Sequence, residues 1–389
     1  PISSTPSSPW SRTNLRPLFF ISLALAAADP NVLFDGKLTV IGESRIRAEN
    51  RNNPNFGAAA DFDVALLRQR LGFVWKPTAD IDIRVVGQDT RAPLYGRGAP
   101  NTMRDGADLY EAYIDLFPKK KTGFVARFGR STLSYGDTRL IGSPQWSNLT
   151  RSYDMARLQW RTKTNTFEIL YASPTQIRIF RFNRPTWNEH IFGTYNVIGK
   201  RFEVYALKHQ QPGLLDSFVA GGRIMQPIGK WKLTLEPVVQ RVRRNHLWSH
   251  EGAQVVNFSR KIGNVDHNIE YKFASSGFDQ IYPAAHDKFG HEDLFGWRNL
   301  HNARYFATWR PHKTVAWSFM YNANWTVDPR VGVYNVQNRL IARDASGRNK
   351  RWAGHEADSF VLWNYAKFLN VGGGFGAYVP GRYTQRITP

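Results

Sequence analysis

From Lys37 to Val379 the chain breaks into segments of about ten residues in which apolar and polar side chains alternate, with turn residues between them; this pattern limits what the chain can become. In Lys37 to Glu49, Leu38, Val40, Ile46 and Ala48 take one face while Glu43, Arg45, Arg47 and Glu49 take the other. Leu67, Leu71, Phe73 and Trp75 oppose Arg68 and Arg70, and Ile81, Ile83 and Val85 oppose Asp82, Arg84 and Gln88. Tyr110, Ala112, Ile114 and Leu116 oppose Glu111, Tyr113 and Asp115. From Val315 to Val327 one face reads Val315, Trp317, Phe319, Tyr321, Ala323 and Trp325, and an unbroken aromatic face of that length has to meet lipid or a very large core. Counting gives roughly seventeen such segments, where a bacterial membrane barrel requires an even number. Long loops (91–106, 137–151, 175–190, 274–300, 328–354) alternate with short turns such as 76–79 and Gly229, as the two ends of a membrane barrel would. No helix of more than three turns and no solenoid period is visible.

Composition narrows the alternatives. A mean hydropathy of −0.45 excludes a bundle of membrane helices but not a barrel, half of whose residues face water. The 13 Trp, 16 Tyr and 25 Phe suit aromatic girdles on a lipid face. Net charge is +21, carried by 52 Lys+Arg against 31 Asp+Glu, and the basic residues stand mostly as single arginines inside alternating segments. That spacing describes a lined surface, and no nucleic-acid-reading motif accompanies it, so nucleic acid is not an expected partner. The absence of cysteine removes disulfides, thiolate metal sites and cysteine nucleophiles. Near the beginning, Arg12 and Arg16 precede the apolar run Leu18 to Leu25 and a group of alanines before Asp29. Basic, apolar and small-residue parts in that order predict a secretory leader over residues 1–28, followed by a single barrel domain over 29–389. The apolar run is too short to span a bilayer as a helix.

The most informative stretch runs from Arg127 to Trp160, RFGRSTLSYGDTRLIGSPQWSNLTRSYDMARLQW, and reads as strand, long loop, strand. It resembles the signature of the bacterial alginate-export family of outer-membrane porins. LLRQRLGF near Leu67, DLYEAYIDL from Asp108, FDQIYPAAHDKFGHEDLFGWRNLHN from Phe278 and GFGAYVPGRYTQ from Gly374 fit the same family in the expected order. The resemblance implies an all-β fold: a monomeric, transmembrane, antiparallel up-and-down β-barrel of about 18 strands in the bacterial outer membrane. Its arginine-lined lumen would pass an anionic polysaccharide such as alginate, or another anionic solute. Because family members close on a last strand ending in an aromatic residue and this sequence stops at Pro389, the closing strand is expected to be missing. In the family the Gly-Arg step, here Gly129-Arg130, stands with its arginine toward the pore, while Ser131 replaces the usual glutamine.

The expected pore lining is Arg45, Arg47, Arg68, Arg70, Arg84, Arg127, Arg130, Arg157 and Arg304, with Arg139 and Arg151 on the signature loop. Guanidinium groups stay charged and bond carboxylates in bidentate fashion, so a ring of them attracts polyuronate. Glu111, Asp115 and Asp154, with Glu43, Asp82, Glu270, Glu356 and Asp358, would brace the arginines and moderate binding; the bland reading is that all these charges only solvate and brace the lumen. His286, Asp287, His291 and Glu292 lack the spacing of a helix-borne zinc site and better suit a loop over a pore mouth. No cofactor is expected, with calcium at loop carboxylates the one case left open. His209, His246, His250, His267 and His355 are available for a hydrolase, but no nucleophile signature accompanies them, so no enzyme is expected. The competing class is a non-transporting outer-membrane scaffold, or a subunit docked to periplasmic or envelope partners.

Overall fold

The computed structural model describes residues 18–26, 31–52, 54–57, 60–95, 99–100 and 102–387. Eighteen strands form a closed antiparallel barrel: β1 (Leu18–Ala26), β2 (Leu38–Arg51), β3 (Phe62–Thr78), β4 (Ile81–Arg91), β5 (Asp105–Leu116), β6 (Gly123–Ser131), β7 (Tyr153–Arg161), β8 (Asn165–Gln176) and β9 (His190–Ile198) make the first half. β10 (Phe202–Gln211), β11 (Leu215–Ile228), β12 (Trp231–Arg244), β13 (Leu247–Ile262), β14 (Val265–Ala274), β15 (Leu300–His312), β16 (Val315–Thr326), β17 (Trp352–Ala366) and β18 (Leu369–Pro380) make the second. Closure satisfies every wall strand on both edges, which hydrocarbon demands because it offers no partner to an open ladder.

The seam differs from the sequence expectation. β1 pairs antiparallel with β18, Leu18 opposite Gly376 through Leu25 opposite Leu369, and with β2, Phe19 opposite Asn50 through Ala26 opposite Glu43. The position expected to be vacant is thus taken by the apolar run read as the core of a leader. Register explains how that run fits a barrel: Ile21 and Leu23 share outward rows with Ala48 and Ile46, whereas the small residues Ser22 and Ala24 stand opposite Arg47 and Arg45. The rest of the leader expectation, residues 1–17 and the cleavage point near Ala27 to Asp29, lies outside the described residues.

Alternation sorts the two faces of the wall. Outward positions are apolar and exposed, among them Leu71, Ile169, Ile269 and Phe319. Trp75, Trp160, Trp309, Trp317 and Trp363 all lie within a few residues of the short turns and form one aromatic girdle. At the other end His301 hydrogen-bonds the Tyr271 hydroxyl across neighbouring strands (2.6 Å). The short turns are tight: Gly229 and Gly263 take φ of +58° and +55°, a conformation that disfavours any side chain.

Many inward positions of β7 to β13 are buried, including Leu170, Ile191, Tyr205, Leu207, Val219, Val238 and Val255, because two long loops fold down onto them. The loop 132–152 and the loop 275–299 pair with each other inside the wall, through Gly142 N to Tyr282 O (2.8 Å), Tyr282 N to Leu140 O (2.9 Å) and Ala284 N to Thr138 O (2.9 Å). Ile141, Phe278, Phe289 and Trp297 supply their apolar core, and the Trp297 indole donates to Phe273 O (2.9 Å).

Candidate functional site

The inward arginines of β2 and β3 hold the loop 132–152 by its carbonyl oxygens. Arg45 donates to Gln145 O (2.7 Å), Trp146 O (3.1 Å) and Ser147 O (3.1 Å), and Arg68 to Ser147 O (3.0 Å). Arg47 lies 3.9 Å over the Trp146 ring and pairs with Glu49. Arg70 donates to Thr150 Oγ1 (2.8 Å), and Glu43 bridges Arg68 and Arg70. A carbonyl dipole aimed at a guanidinium satisfies its N–H groups without cancelling its charge, so this corner remains strongly basic.

Deeper, Arg139 reaches from the loop into three carboxylates: Asp137 (2.7 Å), Glu236 on β12 (3.3 Å) and Glu270 on β14. Arg223 on β11 ties Asp137 (3.0 Å) and Glu203 (2.7 Å) into the same network, while Lys272 (3.0 Å) and Arg304 (3.3 Å) approach Glu270 from the other side. Burial acting alone would raise the Asp137 carboxyl, but Arg139 and Arg223 beside it hold it below the usual carboxylate range. Arg304 also donates to Asp287 O (2.9 Å), so Arg139 and Arg304 tie the loops 132–152 and 275–299 to the wall.

Two cavities carry arginines without full compensation. At the long-loop end, a cavity of about 530 Å³ is lined by Arg151, Arg244 and Arg298 with His209, Asp279 and Tyr282. Arg151 donates to Gly142 O (3.2 Å) and Pro283 O (3.3 Å), Arg244 to Gly277 O, and Arg298 to Ser276 O (3.2 Å); the one acid of the lining, Asp279, is taken by His209 (2.7 Å). Burial first, then the field of Arg244, push the Arg298 guanidinium down to about 10, with Tyr334, Asp279 and Glu251 opposing the shift only in part. At the short-turn end, a cavity of about 130 Å³ is lined by Arg127, Arg157 and Arg161 with Asp115 and Gln159. Arg127 is bidentate to Asp115 (2.7 and 2.8 Å), Arg157 stands 4.0 Å from Glu168, and Arg161 donates to Gln159 (3.1 Å). Arg84, beside this cavity on β4, pairs with Glu111 (2.8 Å).

Two expected lining residues sit elsewhere. Arg130 and Asp154 form a bidentate pair (3.0 and 2.9 Å), but Arg130 shares outward register with the exposed Phe124 and Phe128, and Asp154 with Leu158 and Trp160. The pair escapes lipid because the loop 177–189 covers it, Asn183 O accepting from Arg130 (3.3 Å). β6 keeps its register with both neighbours through Gly129, so alternation alone sets Arg127 inward and Arg130, three residues on, on the opposite face. Sequence reading passed over Arg161, Arg223, Arg244 and Arg298. Arg161 and Arg223 follow from alternation, whereas Arg244 and Arg298 stand where strand meets loop and needed the fold. Among the loop acids, Asp293 pairs with His286 (2.9 Å) and Asp287 with Lys288 (2.7 Å).

A closed barrel with an aromatic girdle, inward-folded loops and a charged interior defines an outer-membrane porin-type channel. Solved structures agree on the fold: a BenF-like porin from Pseudomonas fluorescens Pf-5 (TM-score 0.59, 8% identity, 95% of this chain and 99% of that one) and Pseudomonas aeruginosa OccK11 (TM-score 0.53, 10% identity, 93% and 96%). Pseudomonas aeruginosa OpdK, solved with vanillate, is similar at TM-score 0.56 and 9% identity over 93% and 98%. No curated protein matches the sequence. The alginate-export family model matches residues 37–208 and 270–388, and the chain belongs to that family.

Proposed function

We propose that this outer-membrane channel passes anionic solutes, anionic polysaccharide of the alginate type foremost, between the two arginine-bearing cavities. The observation that carries this reading is the outer cavity, where Arg151, Arg244 and Arg298 bond carbonyl oxygens and leave their charge available to a carboxylate. Arg127, Arg157 and Arg161 would offer a second basic station at the other end, and the acids there would keep binding weak enough for release. The test is reversal potential in planar bilayers, with block by polyuronate added to the long-loop side. Anion preference that weakens with salt, and block relieved by the triple change Arg151→Glu, Arg244→Glu and Arg298→Glu, is the expected result. Cation preference in the unaltered protein would overturn the reading, and absence of any current together with stable co-purification of a partner would favour the scaffold class.

A further inference from the structure

Outside the barrel, one sector of the long-loop half departs from the apolar rule of the wall. Phe192, Lys208, Phe218, Arg241 and His250 are successive register partners across β9 to β13 and form one outward row. The next row toward the loops contains Asp216 and Arg243, which pair (3.4 Å); Lys208 also approaches Asp216 (3.5 Å). Arg241 lies over the Trp248 ring at 4.5 Å and has no ion pair among the described residues. Three cations and a histidine thus share one carboxylate on a face that meets lipid. The row stands three residues from the tips of β10, β12 and β13, about 10 Å along the strands and less in depth once they tilt, which is headgroup level.

Directly below, the row Ala206, Ala220, Val239 and Gly252 is small. These positions leave an outward groove of about 480 Å³ whose upper end is formed by Phe192, Lys208, Phe218, Arg241 and His250. Cations set above an apolar trough match a molecule with phosphate at one end and acyl chain at the other. We infer that this sector binds the phosphorylated glycolipid of the outer leaflet, lipid A, with its phosphate on Lys208 and Arg241 and an acyl chain along Ala206, Ala220 and Val239. Charge complementarity selects this occupant: a lipid-facing cation is expensive unless an anionic headgroup meets it.

The experiment uses the full chain in detergent, with bisphosphorylated lipid A, the same lipid after phosphatase treatment, and inorganic pyrophosphate as probes, bound complexes being counted by native mass spectrometry. Bisphosphorylated lipid A should bind at least tenfold more tightly than the dephosphorylated form. Lys208→Ala with Arg241→Ala should remove that difference. Arg260→Ala, which deletes one outward charge at the short-turn end, should leave binding unchanged. Val239→Trp, which fills the trough with every cation in place, should weaken lipid A binding and leave pyrophosphate binding as it was. Heat-modifiable migration reports the fold of each variant, and the comparison of the two lipids decides the matter in the unaltered protein alone. Equal binding of both lipids, an equal loss with Arg260→Ala, or displacement of lipid A by equimolar pyrophosphate would overturn the assignment.

Discussion

Arg139→Gln removes the bolt of the inward loop 132–152, and the structure sets the size of the effect. Breaking a buried ion pair by deleting one partner costs about 3–5 kcal/mol when the other charge is left without a counter-ion. Here no carboxylate is wholly stranded: Glu270 keeps Lys272 and Arg304, and Asp137 and Glu236 keep Arg223 at 3.0 and 3.8 Å. The loss should therefore fall at the lower end, about 3 kcal/mol, which is about a hundredfold in the open fraction of the loop. Hydrogen exchange of the protein in nanodiscs measures this directly, because local opening is read amide by amide. Protection across residues 132–152 should fall about a hundredfold, while β10 to β14 stay protected. Arg139→Lys, which keeps the charge but not the planar fork, should fall in between. If protection in the loop changes by less than threefold in Arg139→Gln, the carbonyl clamp of Arg45 and Arg68 holds the loop unaided and the role given to Arg139 is mistaken.

Ile269→Arg, at the middle of β14 on the lipid face, should cost about 2–4 kcal/mol and reduce the heat-modifiable folded fraction, whereas Trp317→Arg at the girdle should cost about 0–1 kcal/mol; equal effects would contradict the depth assignment. Deleting residues 1–28 leaves β2 and β18 without the ladder that β1 gives each of them, so the refolded chain should melt lower than the full one; matching melting curves would mean that β1 adds nothing to closure, as a cleaved leader would. Burial, with Glu356 next in weight and Asp293 and Glu49 adding to it against Arg51, pushes the Glu292 carboxyl up to about 8 from its ordinary 4.5. A raised folded-state value contributes stability that is complete below 4.5 and is lost as pH rises through 8, so protease resistance of the loop 275–299 should decline from pH 5 to pH 9; Glu292→Gln should flatten that decline, and an unchanged slope would assign it to another group.

The wall was legible from sequence because alternation is a local property. Seventeen of the eighteen strands lie between Leu38 and Pro380, the region in which about that many segments can be counted, and Arg45, Arg47, Arg68, Arg70, Arg127 and Arg157 all turn inward as their parity requires. What parity cannot give is a count across irregular backbone. Tyr110, which alternation sets with Ala112 and Ile114, is instead buried under Arg70 because the register of β4 and β5 shifts at Val86/Gly87, whereas β6 is regular and parity does put Arg130 opposite to Arg127, where the loop 177–189 covers it. Nor can parity see a partner distant in sequence: Arg139 meets Glu236 and Glu270 because a loop descends into the barrel, and Arg244 joins Arg298 because the last residue of β12 lies beside the two ends of the loop 275–299, which meet at Ser276 and Arg298. β1 was hidden for another reason, since a run of apolar and small residues suits a leader and a seam strand equally well until its register beside Arg45 and Arg47 is known.

The surplus of 21 positive charges is therefore not one stripe along a tube. Arginines at mid-wall meet either carbonyl oxygens of the loop 132–152 or a carboxylate already present, as Arg68 does with Glu43 and Arg304 with Glu270, and such groups hold loops in place. Outside the basic corner of Arg45, Arg47, Arg68 and Arg70, which is occupied by the loop 132–152, uncompensated lumenal charge collects where carboxylates are scarce, around Arg151, Arg244 and Arg298 at one end and, more weakly, around Arg157 and Arg161 at the other. A polyanion entering such a barrel would exchange water for guanidinium at the outer cavity first. On the proposed reading its passage would then depend on whether the paired loops 132–152 and 275–299 yield, so flux would be controlled at the Arg139 network and the ion chosen in the cavities at either end.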